Sequence, residues 1–302
     1  LDDIPVRYLQ LEQLYDKTRI SDLVQQPALT SAELLMAMEI LNTLLTVAYL
    51  VSPLHYLAVS YALVSLSIKN GHCAASSKAY STHAMNLSGA FGQYKEALDF
   101  ADLAILVNQQ YQGKFAPELN FQRAATVLHW NAPLQNSLQA LEQNIYLALG
   151  QGNLEFSVHS ALFFSFYQSL SGIPLDEVAA NLQKYRQFIS EKKFAYNLEF
   201  IRLWQQYVVT LQASDGDPLQ LCGEAFAETE QLPLLEQTNN VTILFCYHSI
   251  KLMQAYLFND DEAAIRHYQA ALPLTGVAMS LYHQTEFYFF AALLATRLCQ
   301  QS

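Results

Sequence analysis

Charge is what this sequence has least of. Only 14% of its 302 residues are Asp, Glu, Lys or Arg, against 52% apolar, where ordinary globular chains carry about a quarter charged. Such a chain must bury an unusual share of its surface or cover it with partners. Glycine (10) and proline (9) are also scarce. An all-β chain of this length would need many more turn residues, so their scarcity points to helices. Basic residues are outnumbered 16 to 27, giving a formal charge of −11. The densest basic stretch, Lys184 to Lys193, is broken by Glu191 and apolar residues. A phosphate-binding face needs clustered cations, so nucleic acid and anionic membrane surfaces are poor partners.

Cys73, Cys222, Cys246 and Cys299 are far apart and form no CxxC pair. They read as mostly buried thiols in a reducing, cytoplasmic setting, and no signal peptide is visible. Residues 40–68 contain no Asp, Glu, Lys or Arg, a run long enough to span a bilayer. Ser52-Pro53 interrupts it with a good cap and a first-turn proline. Two buried helices meeting at a sharp turn are expected, not a membrane span.

What is present is helical periodicity. Helices are expected near 30–51, 53–70, 73–90, 93–112, 116–131, 133–149, 153–171, 174–190, 194–213, 239–258, 261–272 and 280–299, joined by short loops with helix-ending residues. Short loops between long helices make antiparallel neighbours. Gly92, Tyr94, Ala97, Ala101 and Ala104 fit the ladder of a tetratricopeptide turn, where small residues let two helix axes approach closely. Asn259, Asp261, Ala264, Tyr268 and Ala271 fit it partly, and Gly152, Leu154, Ser157, Ala161 and Phe164 loosely.

The expected fold is therefore all-α, a tetratricopeptide-like α-α superhelix: a solenoid of antiparallel helix pairs. Residues 1–213 read as the first array, 214–240 as a bend with short helices around Pro233, and 241–302 as further pairs of the same continuous domain. The helix near 285–298 is apolar all the way round and is expected to be covered on every side. That pattern, with a first residue other than Met, suggests a piece of a longer polypeptide.

Chemistry is hard to find. There is no phosphate loop and no nucleophile elbow. The eight histidines show no HxxxH or HExxH spacing, and Asp260-Asp261-Glu262 reads as a helix N-terminus favoured by the dipole. No catalytic residue, metal or cofactor is expected. An α-barrel enzyme of the terpenoid type would need a second acidic motif facing Asp260-Asp261, and none is found. Two groups retain interest as partner or ligand positions. Arg123 and Trp130 share a helical face with His129 beside them, and Arg202, Trp204 and Tyr207 cluster on another helix. Aromatic residues with arginine are enriched at interfaces, although core packing with a snorkelling arginine explains the same letters more simply.

Leu54-His55-Tyr56-Leu57-Ala58, Lys69-Asn70-Gly71, His129-Trp130, Gly152-Asn153-Leu154-Glu155-Phe156, Leu232-Pro233-Leu234 and Tyr256-Leu257-Phe258-Asn259-Asp260 follow one another in that order. Together they resemble the helical region of large bacterial multi-sensor signalling kinases. In those proteins a serine/threonine kinase-like domain and a signal-transduction ATPase precede a tetratricopeptide-like segment, and GAF and histidine-kinase domains follow it. The resemblance covers residues 50–300 and brings no active site, since no kinase, Walker or phospho-acceptor motif lies here. It implies a regulatory scaffold contacting other domains of the same polypeptide or a protein or peptide partner. By analogy with the sugar-binding superhelix of maltose-system activators, a small effector held inside the superhelix is the alternative. Asn259-Asp260-Asp261 departs from the family's glycine-containing turn.

Overall fold

The computed structural model describes residues 4–301, and among them the chain is all-α, with two isolated β-bridges and no strand. Successive helices pack in pairs, as the periodicity predicts. Two compact units are formed, Leu1–Asn136 and Ser137–Ser302. The first holds α1 (Ile4–Glu12), α2 (Ala32–Val51), α3 (Pro53–Asn70), α4 (Ala74–Gly89), α5 (Tyr94–Gln110) and α6 (Ala116–Gln122). The second contains most of α7 (Leu134–Gly150), then α8 (Leu154–Gln168), α9 (Leu175–Glu191), α10 (Ala195–Gln212), α11 (Glu228–Gln237), α12 (Val241–Leu257), α13 (Asp261–Ala271) and α14 (Tyr282–Gln301). The segment read as a bend, 214–240, lies inside this second unit and contributes one ten-residue helix, α11, with Pro233 inside it.

One turn recurs because one local mechanism produces it. A residue with positive φ ends the first helix, and the next residue caps the second. Gly152 (φ 70°), Asn239 (φ 49°) and Asn259 (φ 62°) take the left-handed position. Asn153, Asn240 and Asp260 follow, and each side-chain oxygen accepts from the backbone N–H three residues on. Their own N–H groups donate back to Ala148, Leu235 and Ala255, closing the preceding helix. Asn259 thus does the work that Gly152 does in the earlier turn, as a short polar side chain tolerates this region better than most. Where the helices cross, Ala97, Ala101 and Ala104 of α5 are buried against α4, and Ser157 and Ala161 of α8 are fully buried.

Gly71 holds the opening of the first unit together. Its φ of 101° and ψ of 176° are accessible only to glycine, and a Cβ there would sit 2.4 Å from the Pro27 carbonyl oxygen. This lets His72 donate to Pro27 and Leu29 donate back to His72, at 2.8 and 2.7 Å. Gly71→Ala is expected to cost about 3 kcal/mol in urea unfolding, from backbone strain alone.

Several expectations are corrected. The region 116–131 is not one α-helix: after α6 the backbone opens into a π-helical turn, Arg123–Val127, and then a 3-10 turn, Leu128–Trp130. The turn at Ser52-Pro53 is as expected, yet the two helices are not equally covered: α3 buries a face that includes Tyr56, Tyr61, Leu63 and Val64, while just 17% of the 32–49 stretch of α2 is buried. By length and composition α2 passes as a candidate membrane span. The last helix is not covered all round, for α14 buries His283, Phe287 and Leu294 and leaves Tyr288 and Phe289 exposed. It packs chiefly on α12, α13 and the 3-10 turn before it, and at its start Tyr282 and His283 touch Tyr167 and Phe166 of α8 and Trp204 of α10. Of the thiols, Cys73 and Cys246 are buried, while Cys222 and Cys299 are exposed. Helix α1 and the 3-10 turn Ile20–Gln25 precede the first helix the periodicity predicts.

Candidate functional site: two clefts beside a pinned crossover

The six positions singled out from sequence part company in three dimensions. Arg123 Nε donates to Asp102 Oδ1 at 2.7 Å, and Trp130 stacks on Tyr94 with centroids 4.8 Å apart and planes 11° off parallel. His129 packs against Trp130 at 4.9 Å. This group folds back on α5, where Tyr94 keeps one edge at the surface. Trp204 and Tyr207 are core residues. Trp204 has no exposure and lies 5.3 Å from Phe166 and 5.1 Å from His283, ring to ring. Arg202 turns the other way, and its Nε donates to the Ala225 carbonyl at 2.8 Å.

Ala225 belongs to the chain crossing from α10 to α11, and this crossover shapes the most promising site. Lys251, the one formal charge on α12, is almost fully buried. Its ammonium donates to Glu228 Oε2 at 2.9 Å and to the Leu219 carbonyl. Glu228 also accepts from Tyr247 Oη at 3.1 Å, and Gln254 Nε2 donates to the Pro218 carbonyl at 3.1 Å. A buried cation is tolerated only when paired and hydrogen-bonded, and here the pairing fastens both ends of the crossover to α12. Between the fastenings the chain turns back on itself, with Gly223 N–H donating to Phe226 and Glu228 N–H donating to Leu221. Leu221, Ala225 and Phe226 face inward.

An open cleft lies on each side of this turn. The larger, about 580 Å³, runs between α9, α10 and residues 222–225. Its wall is a chain of amides: Arg186 donates to Gln205 Oε1 at 3.1 Å, and Gln205 Nε2 donates to Gln183 Oε1 at 2.7 Å. The same guanidinium reaches Glu224 at 3.4 Å, but Glu224 is 92% exposed, so that ion pair is weak. Arg186 is thus aimed by Gln205 and only loosely occupied. The smaller cleft, about 470 Å³, has Arg202 at its base and Leu234, Leu235 and Ile243 along its sides.

Elsewhere His248 and His267 meet, Nδ1 to Nδ1, at 3.0 Å across α12 and α13. Burial pushes them down to about 4 and about 3, so both are neutral at pH 7 and one donates to the other. Among the described residues no group of three or more His, Cys, Asp or Glu could hold a metal ion. No protein-family model matches the chain, and no curated protein matches its sequence.

The sequence reading passed over Arg186, Gln205 and Lys251. Lys251 did leave a signal, as the lone charge in Val241–Leu257, with Ile250 and Leu252 on either side of it in the chain. Arg186 left none, because one arginine in a charged amphipathic helix looks like any solvated one.

Proposed function

We propose that the chain is a non-catalytic, helical-repeat regulatory segment of a cytoplasmic multidomain signal-transduction kinase, mediating interdomain or protein–protein contact. The larger cleft is its docking site, and the observation that carries this is Arg186, aimed by the buried amide of Gln205 and otherwise held only by a weak pair with the exposed Glu224. Guanidinium groups recognise carboxylates bidentately, and side-chain amides recognise backbone N–H and C=O groups. Such a wall suits an extended peptide bearing Asp or Glu. The stacked helix pairs and the ordered sequence phrases support the same reading.

Panning against a random peptide library is expected to enrich acidic, extended peptides. Arg186→Ala then weakens the selected peptide at least tenfold, about 1.4 kcal/mol, and Arg123→Ala leaves it unchanged. No enrichment, or equal binding by Arg186→Ala, rejects the site. A second reading, a small-molecule effector pocket, draws on the cleft volume, which falls within the range of ligand sites. A metabolite that raises Tm in the parent and not in Arg186→Ala favours it.

A further inference from the structure

Helix α2 is apolar on two faces. Met38, Leu45 and Ala48 point into the core, and a helix with one buried face is ordinarily polar on the other. Instead Met36 (64% exposed), Ile40 (53%), Leu44 (46%), Val47 (53%) and Val51 (74%) form a second stripe. At 100° per residue these five fall within about 80° of arc, and at 1.5 Å per residue they run for about 22 Å. Scattered exposed apolar residues mean little, but a contiguous stripe marks an interaction surface.

We infer that this stripe pairs with the same stripe of a second copy, the two α2 helices antiparallel about a two-fold axis between Thr43 and Leu44. An isologous interface needs a self-complementary patch, and four of the five stripe residues pair with one another about this axis. With the axis there, Met36 faces Val51, Ile40 faces Val47, and Leu44 faces Thr43 of the second copy. The charges agree. The acids of α2, Glu33 and Glu39, sit in its first half, and the helix has no lysine or arginine. Antiparallel pairing holds the two Glu33 residues about 31 Å apart and sets each near the other copy's exposed His55 turn. Parallel pairing would set like charges face to face. The five residues expose on the order of 500 Å² together, so two copies cover about 1,000 Å² before the rim adds to it, the lower bound of a specific interface. A bilayer fits less well, because interfacial helices carry cations for the headgroups and α2 has none.

Sedimentation velocity from 1 to 200 µM tests this. The expected result is a monomer–dimer equilibrium with a Kd in the micromolar range. Leu44→Glu, which sets two carboxylates beside the axis, weakens it at least 100-fold; Tyr146→Glu, at an exposed site off the stripe, leaves it unchanged. Both positions are exposed, so circular dichroism of the variants stays that of the parent. In a Cys222→Ser/Cys299→Ser background, Leu44→Cys is expected to cross-link to itself and Glu33→Cys not to. A parent that stays monomeric throughout overturns the inference, and so does a monomer that co-sediments with phosphatidylcholine vesicles. Cross-linking through both cysteines overturns the antiparallel arrangement.

Discussion

Lowering the pH from 7 to 5 is expected to remove about 2 kcal/mol through His83 in the first unit and as much through His283 in the second. His72 adds to the loss in the first, and His248 and His267 to that in the second, since burial lowers the pKa of all five. In the first unit His83 lies wholly inside a cage of Tyr15, Tyr61 and Phe100, and the protein hydrogen-bonds neither ring nitrogen. In the second, His283 sits among Trp204, Phe245 and Phe166, with Nδ1 3.5 Å from Cys246 Sγ. Burial pushes both down to about 3. The unfolded chain takes up a proton near pH 6.5 that the folded chain refuses. Stability is therefore intact above 6.5, falls as the pH drops below it, and levels off only near 3. Glu12, close to His83, has its carboxyl lowered by hydrogen bonds from Lys17 and Tyr8 against the opposing effect of burial, and it adds a further acid-side loss. Urea unfolding at pH 5, 6 and 7 measures the slope, and His83→Phe is expected to lessen it for the first unit, His72 keeping the remainder. A parent whose midpoint is the same at pH 5 and 7 would contradict this account.

The second large effect concerns Lys251. Lys251→Ala is expected to cost about 3 kcal/mol, because it leaves the Glu228 carboxylate and the Leu219 carbonyl without their cation. Lys251→Met together with Glu228→Gln removes both charges and keeps the volume, so most of that loss should return. The two differ in a second readout. With its fastening cut, the crossover in Lys251→Ala should become sensitive to protease between residues 213 and 227, while the helices keep their hydrogen-exchange protection. Equal stability of the parent and Lys251→Ala would mean that the buried pair does not hold the crossover down.

Local rules made much of the helix framework legible. The Gly92–Ala104 ladder, the break at Ser52-Pro53 and the helix start at Asp260-Asp261-Glu262 are short-range features, each fixed by a few neighbouring residues. The misreadings occurred where local pattern and tertiary environment part. The letters of 116–131 suit an α-helix, and the π turn at Arg123–Val127 is invisible to a 3.6-residue period. Helix α2 is apolar enough to be buried, yet composition does not say which neighbours are available to cover it. Trp204 and Arg202 are two residues apart and look like one cluster, although 200° of helical rotation sends one to the core and the other to a cleft.

By itself the sequence determined that the chain is helical, that its helices pair through alanine-sized crossings, and that short loops with helix-ending residues join them. Those properties depend on backbone conformation and on residues within a few positions of one another. Only the tertiary structure decided that Lys251 reaches Glu228 and Leu219, that Gln205 aims Arg186, and that an apolar stripe of α2 faces solvent. Each of these joins residues more than 15 positions apart or depends on which surfaces remain uncovered once the helices have packed, and one-dimensional periodicity carries neither.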